Sequence, residues 1–447
     1  MPVHFSQQTA LARRWARPRY RLAGLLFSGL GTIGLHACTS PAVQPISQSL
    51  GWEQSAFFQP PPEPDPAVVE VVERYLQTLR SRGIAPNGQG IVFQAGLSRL
   101  AMHQAQQPRS AASITKVATT VAAVEKWGLA HRFITTFYTT GTVVNGVLQG
   151  DLVIQGTGNP FFVWEEAIAV GNALTDQGIT QIAGDLVIVG PFFMNYKTDG
   201  TVAGQLLRVA LDSLQWPREA QMQYAELPPE TPKPQVTVQG TVRVEAAVPS
   251  QATPLFRHES VNLANILKQM NIYSNNVMAQ VLAESAGGAD AVAQLAAQVA
   301  GVPPEEIQLI NGSGLGVENR ISPRASVAML IALDQRLAAQ NASITDVLPV
   351  AGRDRGGTLK DRNFPPQTLL KTGTLNGVSA LAGIVPTRDR GWVWFAILNG
   401  GGDILQFRRQ QDALLQAVTG VLGTGTLLDG QGGIPDEPLG DAGRILP

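Results

Sequence analysis

The sequence predicts an α+β fold in which one domain is split by an inserted β-rich domain. Helical and strand patterns occur at both ends of the folded part, and short alternating segments punctuated by glycine lie between them. A pattern that changes and then returns indicates a second domain nested within the first. We therefore assign residues 66–130 and 253–420 to the split domain, 131–252 to the insertion and 421–447 to a flexible tail.

Residues 1–37 have the pattern of an export signal. Arginines are concentrated between Arg13 and Arg21, where there is no acidic residue, and the uncharged, mostly apolar stretch 22–35 follows. Such a run is short for a membrane span but suits the hydrophobic region of a signal peptide. We therefore expect the protein to be exported to the periplasm or cell envelope.

The end of this signal resembles a bacterial lipobox, with the sequence Leu35-His36-Ala37-Cys38. In this interpretation the signal is cut before Cys38, whose thiol is lipidated and attaches the protein to a membrane. Ordinary cleavage after Ala37, without a lipid, and a short anchor that is never cut are the alternatives. Residues 38–65 are rich in Ser, Gln and Pro and predict an extended tether.

Composition excludes several classes of function. The 33 basic residues are balanced by 34 acidic ones, which gives a net charge of −1. This balance lacks the excess of positive charge that is typical of nucleic-acid-binding proteins. The single cysteine excludes an intramolecular disulfide, a Cys-based zinc site and an iron–sulfur cluster. The five histidines are scattered, which excludes the helical motif of a metalloprotease. We expect no metal and no cofactor.

Hydrophobic periodicity predicts the elements of the folded part, because apolar residues recur every three or four positions in a helix and alternate in a strand. Glycines just beyond two of the helices, Gly83 and Gly128, are typical stop signals. We predict helices at 68–80, 113–127, 164–177, 261–285, 289–300 and 404–418, and strands at 90–95, 100–102, 133–139, 143–148, 151–155, 185–189, 235–238, 242–244, 380–385 and 392–398.

The first chemical motif is Ser113-Ile114-Thr115-Lys116, at the start of a predicted helix. A spacing of three places both side chains on one helical face, where an amine can reach a hydroxyl. Serine is a weak nucleophile until a base removes its proton, and lysine can be that base when burial lowers its pKa. The helix N-terminus also presents backbone N–H groups to a developing oxyanion.

Two further motifs follow in the chain. Ser274-Asn275-Asn276 is a polar interruption between apolar helical stretches and suits a loop that enters a cleft. Lys371-Thr372-Gly373-Thr374 follows Leu369-Leu370 and precedes Gly377. Gly373 would let a substrate backbone approach a strand closely, and the flanking cation and hydroxyls suit a carboxylate. Each motif alone is more often a helix cap or a strand end than a site.

In this order the three motifs are similar to the signature of penicillin-binding proteins and serine β-lactamases. The rest of the chain, over about 66–418, resembles the D-Ala-D-Ala carboxypeptidase/endopeptidase family, peptidase family S13. The segments that carry this resemblance include Gly150–Ile154 with Gly156–Pro160, Gly184–Val187, His258–Ser260, Asn311–Leu315 with Asn319–Pro323, and Leu348–Gly352 before Gly357–Leu359. The resemblance implies a serine β-lactamase/transpeptidase-like catalytic domain, an antiparallel sheet with helices.

The resemblance also implies roles in acylation. Ser113 would attack the carbonyl of the penultimate D-alanine of a peptidoglycan peptide that ends in D-Ala-D-Ala, and Lys116 would act as the general base. The backbone N–H groups of Ser113 and Thr374 would form the oxyanion hole. β-Lactams would acylate the same serine as covalent inhibitors.

The remaining residues would bind substrate and move protons. Ser274 would relay a proton to the leaving D-alanine, helped by Lys371, and Asn276 would hold the peptide amide and orient Lys116. The hydroxyls of Thr372 and Thr374, beside Gly373, would hold the terminal carboxylate.

Two alternatives remain open from the sequence: a serine β-lactamase and a non-catalytic wall-binding lipoprotein. The nearest match to the deacylating glutamate of class A β-lactamases, Glu259, precedes Ser274 with unsuitable spacing, which argues against the first. The intact motif residues argue against the second. His258 is interpreted as structural, residues 353–356 look atypical of the family, and the domain nested within the insertion of larger members is expected to be absent.

Overall fold

The computed structural model describes residues 63–354, 356–427 and 433–447. The predicted signal, Cys38 and most of the tether lie outside the described residues. Within those ranges, no helix combines the length and hydropathy needed to cross a membrane. The same ranges contain no cluster of His, Cys, Asp and Glu that could hold a metal ion.

The helices of the described part are α1 (Pro66–Arg80), α2 (Thr115–Trp127), α3 (Trp164–Asp176), α4 (Gly200–Ala210), α5 (Arg218–Tyr224), α6 (Leu263–Tyr273), α7 (Asn276–Ser285), α8 (Ala289–Ala300), α9 (Pro323–Ala338) and α10 (Ile404–Leu422). The strands are β1 (Gly90–Ala95), β2 (Ser98–His103), β3 (Arg109–Ser110), β4 (Ile134–Thr139), β5 (Val143–Val144), β6 (Val147–Leu148), β7 (Leu152–Gly156), β8 (Gln181–Ile182), β9 (Leu186–Val189), β10 (Thr237–Val238), β11 (Val242–Glu245), β12 (Thr253–Glu259), β13 (Ile307–Gln308), β14 (Arg320–Ile321), β15 (Leu369–Leu375), β16 (Val378–Thr387), β17 (Gly391–Gly400) and β18 (Ile445–Leu446).

A five-stranded antiparallel sheet of order β15-β16-β17-β1-β2 forms the centre of the split domain. Strand β16 is buried along its whole length, which explains its unbroken apolar run. Helices α1 and α10 pack on one face, around Phe93 and Phe395 of the central strands. Helices α2 and α9 cover the other face, around Ala380 and Ala396. The predicted α+β class is therefore confirmed, and β15 forms one edge of the sheet.

The insertion has its own core beneath a six-stranded sheet of order β11-β9-β7-β4-β12-β18. The prediction of one helix in this block was wrong, since α4 and α5 lie there beside α3. Strands β7, β9 and β11 pair in parallel, and parallel neighbours need crossover connections, which these helices provide. Asp199 caps α4 by accepting a hydrogen bond from the backbone N–H of Val202.

The repeated Gly-Asp-Leu sequences start the parallel strands of the insertion. The carboxylate of Asp151 accepts the backbone N–H of Asp185 at 2.8 Å, and the carboxylate of Asp185 accepts that of Thr241 at 2.7 Å. A side chain at Gly184 would lie 2.3 Å from the Asp151 carboxylate, so only glycine fits there. Arg243 bonds both carboxylates and ties the three strand starts together.

The prediction that 421–447 is a flexible tail was wrong for residues 433–447. Strand β18 pairs with β12, and the guanidinium of Arg444 bonds the buried carboxylate of Glu166 at 2.5 Å. Helix α10 also continues to Leu422. The tail is held by this ion pair and by scattered apolar residues, Ile434, Leu439 and Ile445, that pack on the two cores. Scattered contacts of this kind leave no periodicity in a sequence.

Two other elements, a strand and a helix, differ from the prediction. Strand β12, assigned from the sequence to the split domain, lies in the sheet of the insertion, where it pairs with β4. Helix α9 was missed, although Ser322 caps it and Pro323 stands at its first position.

Candidate active site

Ser113 lies in a short 3-10 turn, Ala112–Ile114, that leads directly into α2. Ala112 adopts a φ of 45°, in the left-handed region that a residue with a Cβ rarely occupies. Its carbonyl oxygen lies 1.9 Å from where a Cβ on Gly314 would stand, so only glycine fits opposite it. Ser113 therefore lies on a constrained turn, and the segment that contains Gly314 packs against this turn.

Lys116 lies one turn further along α2 and is fully buried. Its Nζ atom is 3.0 Å from Ser113 Oγ, 2.8 Å from Asn276 Oδ1 and 2.6 Å from the carbonyl oxygen of Ser313. A neutral amine has two N–H donors, which the Asn276 and Ser313 oxygens can accept, and a lone pair that can then accept the Ser113 proton.

The electrostatic environment of Lys116 favours that neutral form. Burial lowers its pKa from 10.5 to about 7. None of the described carboxylates forms a salt bridge with Lys116 to offset the cost of burying a charge. The amine therefore has the basicity of a general base that works near neutral pH.

Ser274 occupies the junction between α6 and α7. It has a left-handed backbone with φ 52° and ψ 40°, and the side chain of Asn275 caps α7 by accepting the N–H groups of Val277 and Met278. The predicted loop is thus a sharp break in a helix pair. Asn276, in the first turn of α7, reaches Lys116.

Lys371 is the second buried lysine of the site. Its Nζ atom bonds Ser274 Oγ at 2.9 Å and the carbonyl oxygen of Thr372 at 2.9 Å. Burial, and then the nearby charge of Lys116, holds the pKa of Lys371 well below its ordinary value. The two Ser–Lys pairs together form a compact network of amines, hydroxyls and carbonyls.

The edge strand β15 runs beside the Ser113 turn. A Cβ on Gly373 would lie 2.8 Å from the carbonyl oxygen of Ala111 and 3.0 Å from the backbone nitrogen of Ser113. Glycine is therefore needed so that this strand can approach the nucleophile. The neighbouring hydroxyls each have a partner: Thr372 bonds Thr358 at 2.7 Å, and Thr374 accepts from Arg408 at 3.0 Å.

Three of these contacts were not predicted: the Ser313 carbonyl at Lys116, the Thr358 hydroxyl and the Arg408 guanidinium. In the sequence, the Asn311–Leu315 segment contributes only to the family resemblance. In the structure, Asn311 Oδ1 accepts the N–H groups of Ser313 and Gly314, which fixes the turn beside Lys116. The glycine-rich turn was visible in the sequence, but its partner Lys116 lies 197 positions away.

Within the atypical segment 353–356, residue 355 lies outside the described residues, and Asp354 has clear contacts. Asp354 Oδ2 lies 2.8 Å from Nζ of Lys268 on α6 and accepts the backbone N–H of Val350 at 2.7 Å. Lys268 donates further hydrogen bonds to two carbonyl oxygens, and burial lowers its pKa. The Lys268–Asp354 pair therefore anchors Asp354 to the helix that ends before Ser274.

His258 stands outside this network. It is fully buried in β12, where its Nε2 atom bonds Glu166 Oε2 at 2.6 Å. Its contacts are those of a residue that joins the insertion to the tail.

This chain is similar in sequence to parts of two carboxypeptidases. It is 34% identical over 186 residues to a D-alanyl-D-alanine carboxypeptidase of Actinomadura sp. (strain R39), over 37% of this chain and 34% of that protein. It is 29% identical over 165 residues to carboxypeptidase DacB of Mycolicibacterium smegmatis, over 33% and 35% of the two chains. The matched stretches thus span about a third of each relative.

Among solved structures, Bd3459, a predatory peptidoglycan endopeptidase from Bdellovibrio bacteriovorus, matches with a TM-score of 0.65 and 22% identity, over 80% of this chain and 98% of that one. Penicillin-binding protein 4 (dacB) from Haemophilus influenzae matches with a TM-score of 0.58 and 19% identity, over 78% and 99%. At these identities the matches establish the fold, and they confirm the predicted transpeptidase-like domain. The profile of the D-Ala-D-Ala carboxypeptidase 3 (S13) family matches residues 87–206 and 212–420. The chain therefore belongs to that family.

Proposed function

We propose that the protein is a serine D-Ala-D-Ala carboxypeptidase that cleaves peptidoglycan stem peptides through an acyl-enzyme. The observation that carries this proposal is the buried Lys116 amine, 3.0 Å from Ser113 Oγ, with its pKa lowered to about 7. Membership of the S13 family and the carboxypeptidases named among the relatives support the substrate class.

Acylation begins with Ser113. Its Oγ attacks the carbonyl carbon of the penultimate D-alanine while Lys116 Nζ takes the hydroxyl proton. The resulting oxyanion is stabilised by the backbone N–H groups of Ser113 and Thr374. In other serine enzymes the loss of one such donor slows the reaction about 10²–10³-fold.

Collapse of the tetrahedral intermediate breaks the peptide bond and expels the terminal D-alanine. Its nitrogen needs a proton, which Ser274 Oγ donates, and the proton that Lys116 took from Ser113 replaces the one that Ser274 gave up. Lys371 Nζ, 2.9 Å from the Ser274 hydroxyl, holds that hydroxyl in position. Asn276 holds the peptide amide and keeps Lys116 in position. Water then attacks the acyl-enzyme and releases the shortened peptide with a new carboxylate, restoring Ser113.

The same serine is the proposed site of covalent inhibition by β-lactams. A penicillin-acylated form of Bd3459 has been solved, and its fold is shared by this chain. The strained β-lactam amide opens when Ser113 attacks it, and the product stays bound as an ester because its leaving group remains tethered.

Labelled penicillin tests the nucleophile directly. We expect the wild-type protein to bind one equivalent covalently and Ser113→Ala to bind none, while Ser81→Ala, a change near the end of α1, behaves as wild type. Equal labelling of Ser113→Ala would falsify the assignment. An unlabelled wild type would instead favour a non-catalytic wall-binding protein, and rapid release of hydrolysed penicillin would favour a β-lactamase.

Purified muropeptides test the proposed activity itself. Loss of one D-alanine from monomers is the result expected of a carboxypeptidase. Conversion of cross-linked dimers to monomers would add DD-endopeptidase activity, the function named for Bd3459. Release of neither product by a protein that binds penicillin would contradict the proposed substrate.

We further propose that the protein acts in the cell envelope, exported by residues 1–37 and attached to a membrane through a lipid on Cys38. The support is the arginine-rich start, the apolar run and the lipobox-like sequence before the cysteine. Mass spectrometry of the mature N-terminus should find a lipidated Cys38. An unmodified Cys38 would indicate ordinary cleavage after Ala37, and an uncut N-terminus would indicate an anchor.

A further inference from the structure

The two lysines of the site are poorly placed to bind a substrate carboxylate. Lys116 Nζ is occupied by Ser113, Asn276 and the Ser313 carbonyl, and Lys371 Nζ by Ser274 and the Thr372 carbonyl. Both are fully buried, and their burial favours the neutral amine. A substrate that ends in a carboxylate needs a cation from elsewhere.

Arg408 supplies a permanent cation beside the edge strand. It lies in the second turn of α10, half-buried, and its Nη2 atom donates to Thr374 Oγ1 at 3.0 Å. No carboxylate of the described part forms a salt bridge with it, whereas Asp412, one turn further along α10, pairs with Arg362. Its charge is therefore not neutralised within the described part of the molecule.

We propose that Arg408 is a substrate-binding residue that recognises the terminal carboxylate of the leaving group. This inference rests on the proposed function, because it assumes a substrate that Ser113 cleaves. Nothing in the three sequence motifs assigns this residue, which follows Lys371 by 37 positions.

The hydrogen bond at Thr374 fits this role. Because its Oγ1 accepts from Arg408, the hydroxyl proton of Thr374 is free to donate to an incoming carboxylate. The guanidinium carries five N–H donors in a planar fork, and those not used at Thr374 can bond the same carboxylate. A charged donor behind a neutral hydroxyl thus forms a two-part carboxylate site at the edge of β15.

A pair of thioester substrates isolates the carboxylate from the chemistry. Both contain the same acyl-D-alanyl group, so Ser113 attacks the same carbonyl. One leaving thiol carries a carboxylate and the other is neutral. We expect Arg408→Gln to lower kcat/KM about tenfold for the first ester, mainly through KM, and to leave the second unchanged. Arg408→Lys should recover part of the loss, because a point charge replaces a bidentate fork.

Arg409→Gln is the matched control, since Arg409 is the exposed neighbour on α10 and points about 100° away around the helix. It should leave both esters unaffected. Equal losses on both esters with Arg408→Gln, or no loss on either, would overturn the role of Arg408 while leaving the proposed function intact. A wild-type protein that cleaves neither ester and binds no penicillin would overturn the proposed function itself, and this inference with it.

Discussion

Two buried clusters of polar side chains in this molecule differ in whether a basic group is paired with a carboxylate. The cleft cluster consists of Ser113, Lys116, Ser274 and Lys371, whose amines meet hydroxyls and carbonyls but no carboxylate among the described residues. The tail cluster consists of Glu166, His258 and Arg444, in which Glu166 bonds Arg444 at 2.5 Å and His258 at 2.6 Å.

The difference teaches how burial can serve either reactivity or rigidity. In the cleft cluster the cost of burying a charge is not offset, so the pKa of Lys116 falls to about 7 and the amine becomes a base. In the tail cluster the carboxylate of Glu166 meets the guanidinium of Arg444, and this ion pair fastens residues 433–447 to the insertion. Reactivity should therefore depend on the first cluster and stability on the second.

The largest expected effect comes from Lys116→Met. It should slow acylation by labelled penicillin about 10³-fold or more, because Ser113 loses its base. It should leave the thermal midpoint close to that of the wild type, because removal of the amine relieves its desolvation cost but leaves the acceptors of Asn276 and Ser313 unpaired. Lys126→Met, on an exposed position of α2, is the control and should change neither quantity. A variant that lost both stability and reactivity would break the distinction between the two clusters.

Glu166→Gln should have the reverse profile. Removing this carboxylate leaves Arg444 buried without its counter-charge and should lower the free energy of unfolding by about 3–5 kcal/mol. Penicillin labelling of the folded fraction should keep the wild-type rate. Denaturant titration measures the first quantity, and the exposed Glu73→Gln serves as control. Loss of labelling in the folded variant would mean that the tail cluster also supports the chemistry.

A smaller effect is expected from pH. The base must be neutral to accept the Ser113 proton, so the acylation rate should rise with pH through the Lys116 pKa of about 7 and then level off. The neutral fraction falls about 100-fold between pH 8 and pH 5, and the rate should fall with it. Stopped-flow acylation over this range tests the prediction, and a flat profile would assign the base to another group.

The smallest expected effect comes from Glu437→Gln, at a partly exposed position of the tail. The carboxylate of Glu437 accepts hydrogen bonds from both terminal nitrogens of Arg132, at 2.8 and 2.6 Å, and from the side chain of Asn262. The Arg132–Glu437 pair is, however, partly exposed. Water screens such pairs, so Glu437→Gln should cost about 1 kcal/mol of unfolding free energy. A loss as large as that of Glu166→Gln would show that burial does not explain the difference between the contacts.

Local patterns in the sequence predicted the parts of the site that are local in the fold. Ser113 and Lys116 share a helical face because three positions separate them, and the apolar runs of β16 and β17 mark the central strands. The contact of the Ser313 carbonyl with Lys116 could not be predicted, because every residue type has a backbone carbonyl and Ser313 lies far from Lys116 in the chain. The tail escaped because Arg444 holds it through a buried ion pair, which leaves no periodic pattern.

The partners of Lys116 have a consequence for how the protein acquires its reactivity. Asn276 and Ser313 lie 160 and 197 positions away from Lys116, so the contacts that bury the amine have very high sequence separation. Long-range contacts of this kind form late, because the loops between them must close first. Until then Lys116 keeps the basicity of an ordinary lysine and Ser113 remains an inert alcohol. The rate at which Ser113 becomes reactive toward a covalent label would thus report the last stage of folding. Compact chains in which these distant segments are not yet in contact would remain unlabelled.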